Sequence, residues 1–138
     1  MSERVVVVNA SKMNYDHALD FSVLSSNVQV YDNSTNAELI ERIQGAGVVV
    51  TKEIPVTAEL LSQFPDTVKL IVEAGTGYNN IDLNAAKAKG ITVCNIPAYS
   101  TERVAHTVIM MILNFASTMQ QQIGMLAKGD RSNFTKHL

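Results

Sequence analysis

The stretch from Leu70 to Ala105, LIVEAGTGYNNIDLNAAKAKGITVCNIPAYSTERVA, constrains this chain more than any other. Its apolar run Leu70-Ile71-Val72 stops abruptly at Ala74-Gly75-Thr76-Gly77, so a strand delivers a bare backbone loop to one place. Glycine lets the main chain approach a ligand closely and take up dihedrals other residues avoid, leaving free N–H groups to point at an anion. Beyond the loop, Ile81-Asp82-Leu83 opens a short helix, Gly90 stops it, and Ile91–Cys94 makes another strand. Pro97-Ala98-Tyr99-Ser100-Thr101 then leads into a long helix. Two strand ends therefore present polar loops side by side.

The preceding residues supply three more strands. Val5–Val8 is a continuous β-branched run, as expected of a central parallel strand covered on both faces. A polar loop from Ala10 to Asp16 follows, then a helical stretch carrying Ala18, Leu19, Phe21, Val23 and Leu24. Val28–Tyr31 reads as the second strand. Asn33-Ser34-Thr35-Asn36 supplies turn and N-cap residues for a helix with Leu39, Ile40 and Ile43 on one face, ended by Gly45 and Gly47. Val48–Val50 is the third strand, and Thr57 caps a helix holding Leu60, Leu61 and Phe64. Short apolar strands alternating with helices predict an α/β fold, a parallel sheet with helices on its faces. Five strands fit a flavodoxin-like three-layer arrangement of order 2-1-3-4-5 followed by a long C-terminal linker helix.

In such sheets ligands bind beyond the carboxyl ends of the strands. The candidates are then Asn9 to Lys12, Thr51 to Glu53, Ala74 to Tyr78, and Asn95 to Thr101. A flavin site needs a Gly-rich phosphate loop after the first strand, where Asn9-Ala10-Ser11-Lys12-Met13 has no glycine. A receiver domain needs an acidic pocket there and a phosphoacceptor aspartate after the third strand, where Thr51-Lys52 stands. Neither chemistry is supported. Lys52 itself is either a rim cation that attracts an anionic substrate or a solvated loop charge. Gly75, Thr76 and Gly77 are either a carboxylate seat or a tight turn, with Asn79, Asn80 and Asp82 capping the next helix and fixing the loop.

AGTGYNNIDLNAAKAKGITVCNIPAYSTERVA resembles the segment shared by NAD-dependent D-isomer-specific 2-hydroxyacid dehydrogenases, whose pattern is roughly AGxGxxNIDLxAAxxxGIxVxNxPxYSTxxVA, with its spacings intact. The resemblance is closest to glycerate dehydrogenase and hydroxypyruvate reductase members, with phosphoglycerate dehydrogenases in the same group. It implies that the amides at Thr76 and Gly77 hold a substrate carboxylate. It places Tyr99 beside the substrate or in interdomain packing. Thr101 and Val104, opening the long helix that Ser100 can cap, then border a nicotinamide, Val104 as an apolar contact to the ring. The implied parent reduces a 2-oxo acid such as hydroxypyruvate or glyoxylate to the D-2-hydroxy acid with NAD(P)H, choosing between NAD and NADP outside this chain.

No strand in the chain leads into G-x-G-x-x-G, the dinucleotide fingerprint, and the only glycines after the long helix are Gly124 and Gly129. By the resemblance, a Rossmann domain with the catalytic Arg, Glu and His follows Leu138. Residues 1–99 are then a substrate-binding domain and 100–138 a linker helix and tail. Such a piece is expected to bind no cofactor and to be inactive alone. The competing reading is a non-enzymatic module that binds a small carboxylate or serves oligomerisation.

Histidine is the usual general acid for ketone reduction. Among the three here, His106 falls on the long helix and reads as structural or interfacial; His17 lies in the first crossover and His137 in the tail. None has a carboxylate partner legible in the sequence, and none is assigned to catalysis.

Composition narrows the partners. A net charge of −2 from 11 basic and 13 acidic residues gives no electrostatic footprint for nucleic acid or an anionic membrane. The four-valine strand that follows Met1–Arg4 is too short for a signal-peptide core, and no apolar run approaches the roughly 20 residues that span a bilayer. The chain thus reads as cytoplasmic, and its lone Cys94 as a buried apolar thiol. On the helix from Thr101 to Gln122, Val108-Ile109-Met110-Met111-Ile112-Leu113 exceeds one turn of about 3.6 residues and is apolar all round. A homodimer through Val108, Met111, Ile112 and Phe115 is the expectation, with Met125–Leu138 as an exchanged arm or a disordered tail.

Overall fold

Five short strands, β1 (Val5–Val7), β2 (Val28–Val30), β3 (Val48–Thr51), β4 (Leu70–Glu73) and β5 (Thr92–Cys94), pair in parallel in the order β2-β1-β3-β4-β5. This is the α/β architecture and strand order expected from the alternation of apolar strands and helices. The computed structural model describes residues 3–136, leaving aside the side chains of Phe134 and Lys136; His137 lies outside the described residues. The chain divides into two compact units, Met1–Pro97 and Ala98–Leu138.

In the first unit, strand alternation sorts side chains to two faces. Register places Val6, Val49, Ile71 and Val93 in one row, joined by apolar residues of α1 (Asn36–Arg42), α2 (Ala58–Ser62) and α3 (Leu83–Ala88). Leu39, Ile43, Leu61 and Ile71 are fully buried in that layer; each burial contributes roughly 1.5–3 kcal/mol. The opposite row, Val7, Val50 and Val72, meets Ala10, Met13 and Phe21 and ends at Cys94.

Local chemistry fixes the helix starts. Thr35 and Glu38 form a reciprocal capping box on α1, Thr57 caps α2 by accepting from Leu60 N–H, and Asp82 caps α3 by accepting from Ala85 N–H. Gly90, at φ +68°, ends α3 in a conformation L side chains rarely take.

Three expectations are corrected. The first crossover is not an α-helix but two 3₁₀ turns, Ala10–Lys12 and Phe21–Leu24. Short polar side chains there capture local backbone: Asn14 Oδ1 accepts from Leu19 N–H, Asp16 from Ala18 N–H and Asp20 from Ser22 N–H. That competition defeats helix propagation. Cys94 is exposed, because it ends its row on the edge strand β5, beyond the buried Val7 and Val50.

The third correction concerns the second unit, where the long helix is interrupted. Helix α4 runs Thr101–Ala116, Thr118 turns left-handed at φ 52°, and α5 runs Met119–Ala127. Ser117 Oγ donates to Leu113 O and Thr118 Oγ1 to Ser117 O, so consecutive hydroxyls take up carbonyls at the break. Ser100 stands at the start of α4 without a side-chain cap bond. The expected tail is helical through Ala127, and a short helix, α6, spans Asn133–Lys136. No residue of α4 or α5 is buried. Among the described residues no helix is long and apolar enough to cross a membrane.

Candidate functional site

Because every strand pair is parallel, the loops after β1, β3, β4 and β5 leave the sheet along one edge. The loop after β4 is anchored there by its carbonyls. Gly75 O accepts from Ile96 N–H at 2.9 Å, and Thr76 O accepts from Asn95 Nδ2 at 2.8 Å. Thr76 Oγ1 donates to Ile96 O at 3.0 Å, and Ala74 N–H donates to Thr51 O at 2.7 Å. With the Gly75 and Thr76 carbonyls held from the β5 side, the Thr76 and Gly77 amides are left over. Thr76 and Gly77 are exposed, and neither N–H donates a hydrogen bond among the described residues.

The glycines serve a different purpose from the one the dihedral argument suggests. Neither Gly75 nor Gly77 has a positive φ. A Cβ at Gly77 would meet only Asn79 Oδ1, at 3.6 Å, and one at Gly75 only Glu73 Oε1, at 3.4 Å. Backbone conformation does not demand glycine at either place. What the missing side chains provide is an open approach to two amide donors.

Lys52 follows β3 on the same edge, half-buried, and makes no ion pair among the described residues. Its backbone is held on both sides by one residue of β1's loop: Lys52 N–H donates to Asn9 Oδ1 at 3.0 Å, and Asn9 Nδ2 donates to Lys52 O at 2.5 Å. Glu53 then sits at φ 60°. Its N–H donates to Glu73 Oε1 at 3.0 Å, and the other carboxylate oxygen of Glu73 accepts from Asn80 Nδ2 at 3.0 Å. Asn80 Nδ2 also donates to Ile54 O at 2.8 Å.

Sequence reading named these loops but not Glu73 or the clamp made by Asn9. A signal was present: Glu73 stands two residues after Ile71 on an inward-facing row, where an acid is costly unless hydrogen-bonded. Of the expected support residues, Asn80 fixes the loop and Asp82 caps α3, whereas Asn79 makes no hydrogen bond among the described residues.

The structure brings Lys52, Gly75, Thr76 and Gly77 to one edge of the first unit. Tyr99, Thr101 and Val104 belong to the second: Tyr99 is exposed before α4, Thr101 opens that helix, and Val104 is exposed in its first turn. His106 is exposed on α4 and His17 lies in the first crossover at φ 56°. Among the described residues no group of three or more His, Cys, Asp or Glu is arranged to hold a metal ion. No β-strand among the described residues runs into a G-x-G-x-x-G turn and helix, the usual seat of a dinucleotide pyrophosphate.

What the edge can do is bind an anion. Two adjacent N–H donors flanked by glycines at 75 and 77, with a cation on the neighbouring loop, suit a carboxylate without burying a charge.

The model for D-isomer specific 2-hydroxyacid dehydrogenase, catalytic domain, matches residues 4–129. Glycerate dehydrogenase of Methylorubrum extorquens is 36% identical over 96 residues, covering 70% of this chain and 30% of that protein. Hydroxypyruvate reductase of Blautia hydrogenotrophica is 38% identical over 87 residues, 61% of this chain and 27% of the relative. D-lactate dehydrogenase from Aquifex aeolicus, solved with NAD and lactic acid, superposes with a TM-score of 0.71 at 26% identity, over 94% of this chain and 38% of that one. The chain thus spans roughly a third or less of the length of the relatives it matches. With the sheet order, the glycine loop and the sequence from residue 4 to 129 all in agreement, the chain belongs to the D-isomer specific 2-hydroxyacid dehydrogenase family.

Proposed function

We propose that Thr76 and Gly77 are the carboxylate seat of an NAD(P)-dependent enzyme that reduces a 2-oxo acid, of the hydroxypyruvate or glyoxylate sort, to its D-2-hydroxy acid. The observation that carries this is the pair of exposed, undonated N–H groups on a loop whose Gly75 and Thr76 carbonyls are engaged from the β5 side. Holding the carboxylate by backbone amides fixes the neighbouring C2 without placing an acid or base against it. Lys52 attracts the anion to the edge. Thr101 and Val104 border the nicotinamide. The cofactor supplies the hydride, and neither its binding site nor the proton donor is assigned to a residue of this chain. The setting is cytoplasmic. The relatives named glycerate dehydrogenase and hydroxypyruvate reductase support the choice of substrate class.

A coding sequence that continues past Leu138 with a strand, G-x-G-x-x-G, and then Arg, Glu and His supports this reading; an unrelated continuation opposes it. On the same reading the 138-residue chain, incubated with NADH and hydroxypyruvate, leaves the reduced-nicotinamide absorbance unchanged, and turnover at ordinary enzyme rates would show that the chemistry is housed here.

The exposure of α4 favours a second role beside the first. Each residue from Val108 to Leu113 is between 50% and 61% exposed, and Phe115 is 84% exposed. An apolar surface of that extent drives association, and we assign it to a homodimer through Val108, Met111, Ile112 and Phe115.

A further inference from the structure

We infer that Glu73 is a positioning residue that locks the loop after β3 to the loop after β4, so that the Lys52 cation and the Thr76 and Gly77 amides face one anion together. The inference rests on the carboxylate seat proposed above and adds what sets its geometry.

Four backbone groups in three consecutive residues, Lys52 N–H, Lys52 O, Glu53 N–H and Ile54 O, are all taken by side chains from elsewhere. Those side chains are Asn9 after β1, Glu73 at the end of β4, and Asn80 beyond the glycine loop. Asn9 is 4% exposed and Glu73 1%, so the clamp is built inside the protein. Both Glu73 oxygens are used, one on each loop.

A loop that only had to turn would need none of this. Glycine at position 53 would take a φ of 60° without penalty, and a carboxylate is among the costliest groups to bury. The chain instead holds a strained Glu53 with a buried acid. Strain kept in place by its surroundings gathers where geometry is functional. Here the geometry so fixed is that of the half-buried Lys52 and of the segment Gly75–Asn80, the two parts of the edge that meet the anion.

Glu73→Gln separates the possibilities by sign. The amide keeps the size of the side chain, but one of its two ends must now face a donor, so one loop is released. A glutamate that merely sits near the anion would repel it, and its neutralisation would tighten binding. Removal of a clamp weakens binding by about fivefold, the loss of one ordinary hydrogen bond.

The test is an NMR titration of the ¹⁵N-labelled 138-residue chain with oxalate. In the unaltered chain, amides of Lys52–Ile54 and of Thr76–Tyr78 should shift with one common dissociation constant. In Glu73→Gln that constant should rise about fivefold at Thr76 and Gly77, with the shifts at Lys52–Ile54 lost. If the unaltered chain shows no shifts at Thr76 and Gly77, the seat itself is refuted and the inference falls with it. If the seat titrates normally and Glu73→Gln binds equally or more tightly, the seat stands and the positioning role is refuted. Should Glu73→Gln fail to fold, Asn9→Ala, which frees Lys52 from the other side, carries the same expectation and the same refutation.

Discussion

The two units spend comparable hydrophobic sequence in opposite ways. Val5–Val8 and Val108–Leu113 are both unbroken apolar runs, yet the first is buried throughout and no residue of the second is. In a parallel sheet, each strand is followed by a crossover that returns to cover it, so the chain provides its own lid. A helix of apolar circumference has no such provision within α4 and α5. A run of the same composition is a core in one setting and a contact surface in the other.

The comparison is most easily broken by truncation. Leu61→Ala, in the helix-covered layer of the first unit, should cost about 2–5 kcal/mol of unfolding free energy. Leu113→Ala, at 61% exposure, should stay within about 0.5 kcal/mol. Urea denaturation of the two variants checks this, and equal costs would mean that α4 is as enclosed as the sheet.

Next in size is the association itself. Light scattering after size exclusion should give twice the chain mass of 15.0 kDa, with Ile112→Glu returning the value to one chain. A stable single-chain mass for the unaltered protein at high micromolar concentration would contradict the dimer.

A smaller effect sharpens the functional edge against the core beside it. Since Gly77 lacks a positive φ and a Cβ there meets nothing closer than 3.6 Å, Gly77→Ala should leave stability unchanged or raise it by about 0.4–1 kcal/mol. The same change should weaken oxalate binding measured by amide shifts. Loss of stability instead would mean that glycine serves the turn rather than the ligand.

The smallest effect concerns Glu38, whose carboxyl is held below its ordinary value by the Thr35 N–H and then the Thr35 hydroxyl, with Arg42 a lesser influence. A depressed carboxyl contributes stability that is present above the ordinary carboxylate range and lost as pH falls through the lowered value. Glu38→Gln should therefore melt slightly lower at pH 7 and converge with the unaltered chain in acid. A difference that persists unchanged in acid would contradict the capping-box account.

Much of this was legible in the sequence, for identifiable reasons. Leu70–Val72 ending at Gly75 marks a strand delivering a loop, and Thr35, Thr57 and Asp82 are capping residues that act within a turn of where they stand. What escaped was settled by competition or by distance along the chain. Asn14, Asp16 and Asp20 outbid the helix suggested by Leu19, Phe21 and Leu24. The hydroxyls of Ser117 and Thr118 mark a break that apolar periodicity does not register. Exposure of Cys94 depends on β5 being an edge strand, a property of the sheet and not of its residues. The Asn9–Lys52 and Glu73–Glu53 bonds join residues 43 and 20 positions apart, which no local pattern reveals.

The central claim is that two amides on the β4 loop seat a carboxylate. A crystal structure of the chain soaked with oxalate tests it most directly. The account predicts a carboxylate oxygen about 2.7–3.2 Å from each of Thr76 N and Gly77 N, with the loop backbone otherwise unmoved. Oxalate bound elsewhere while both amides face only solvent would contradict it.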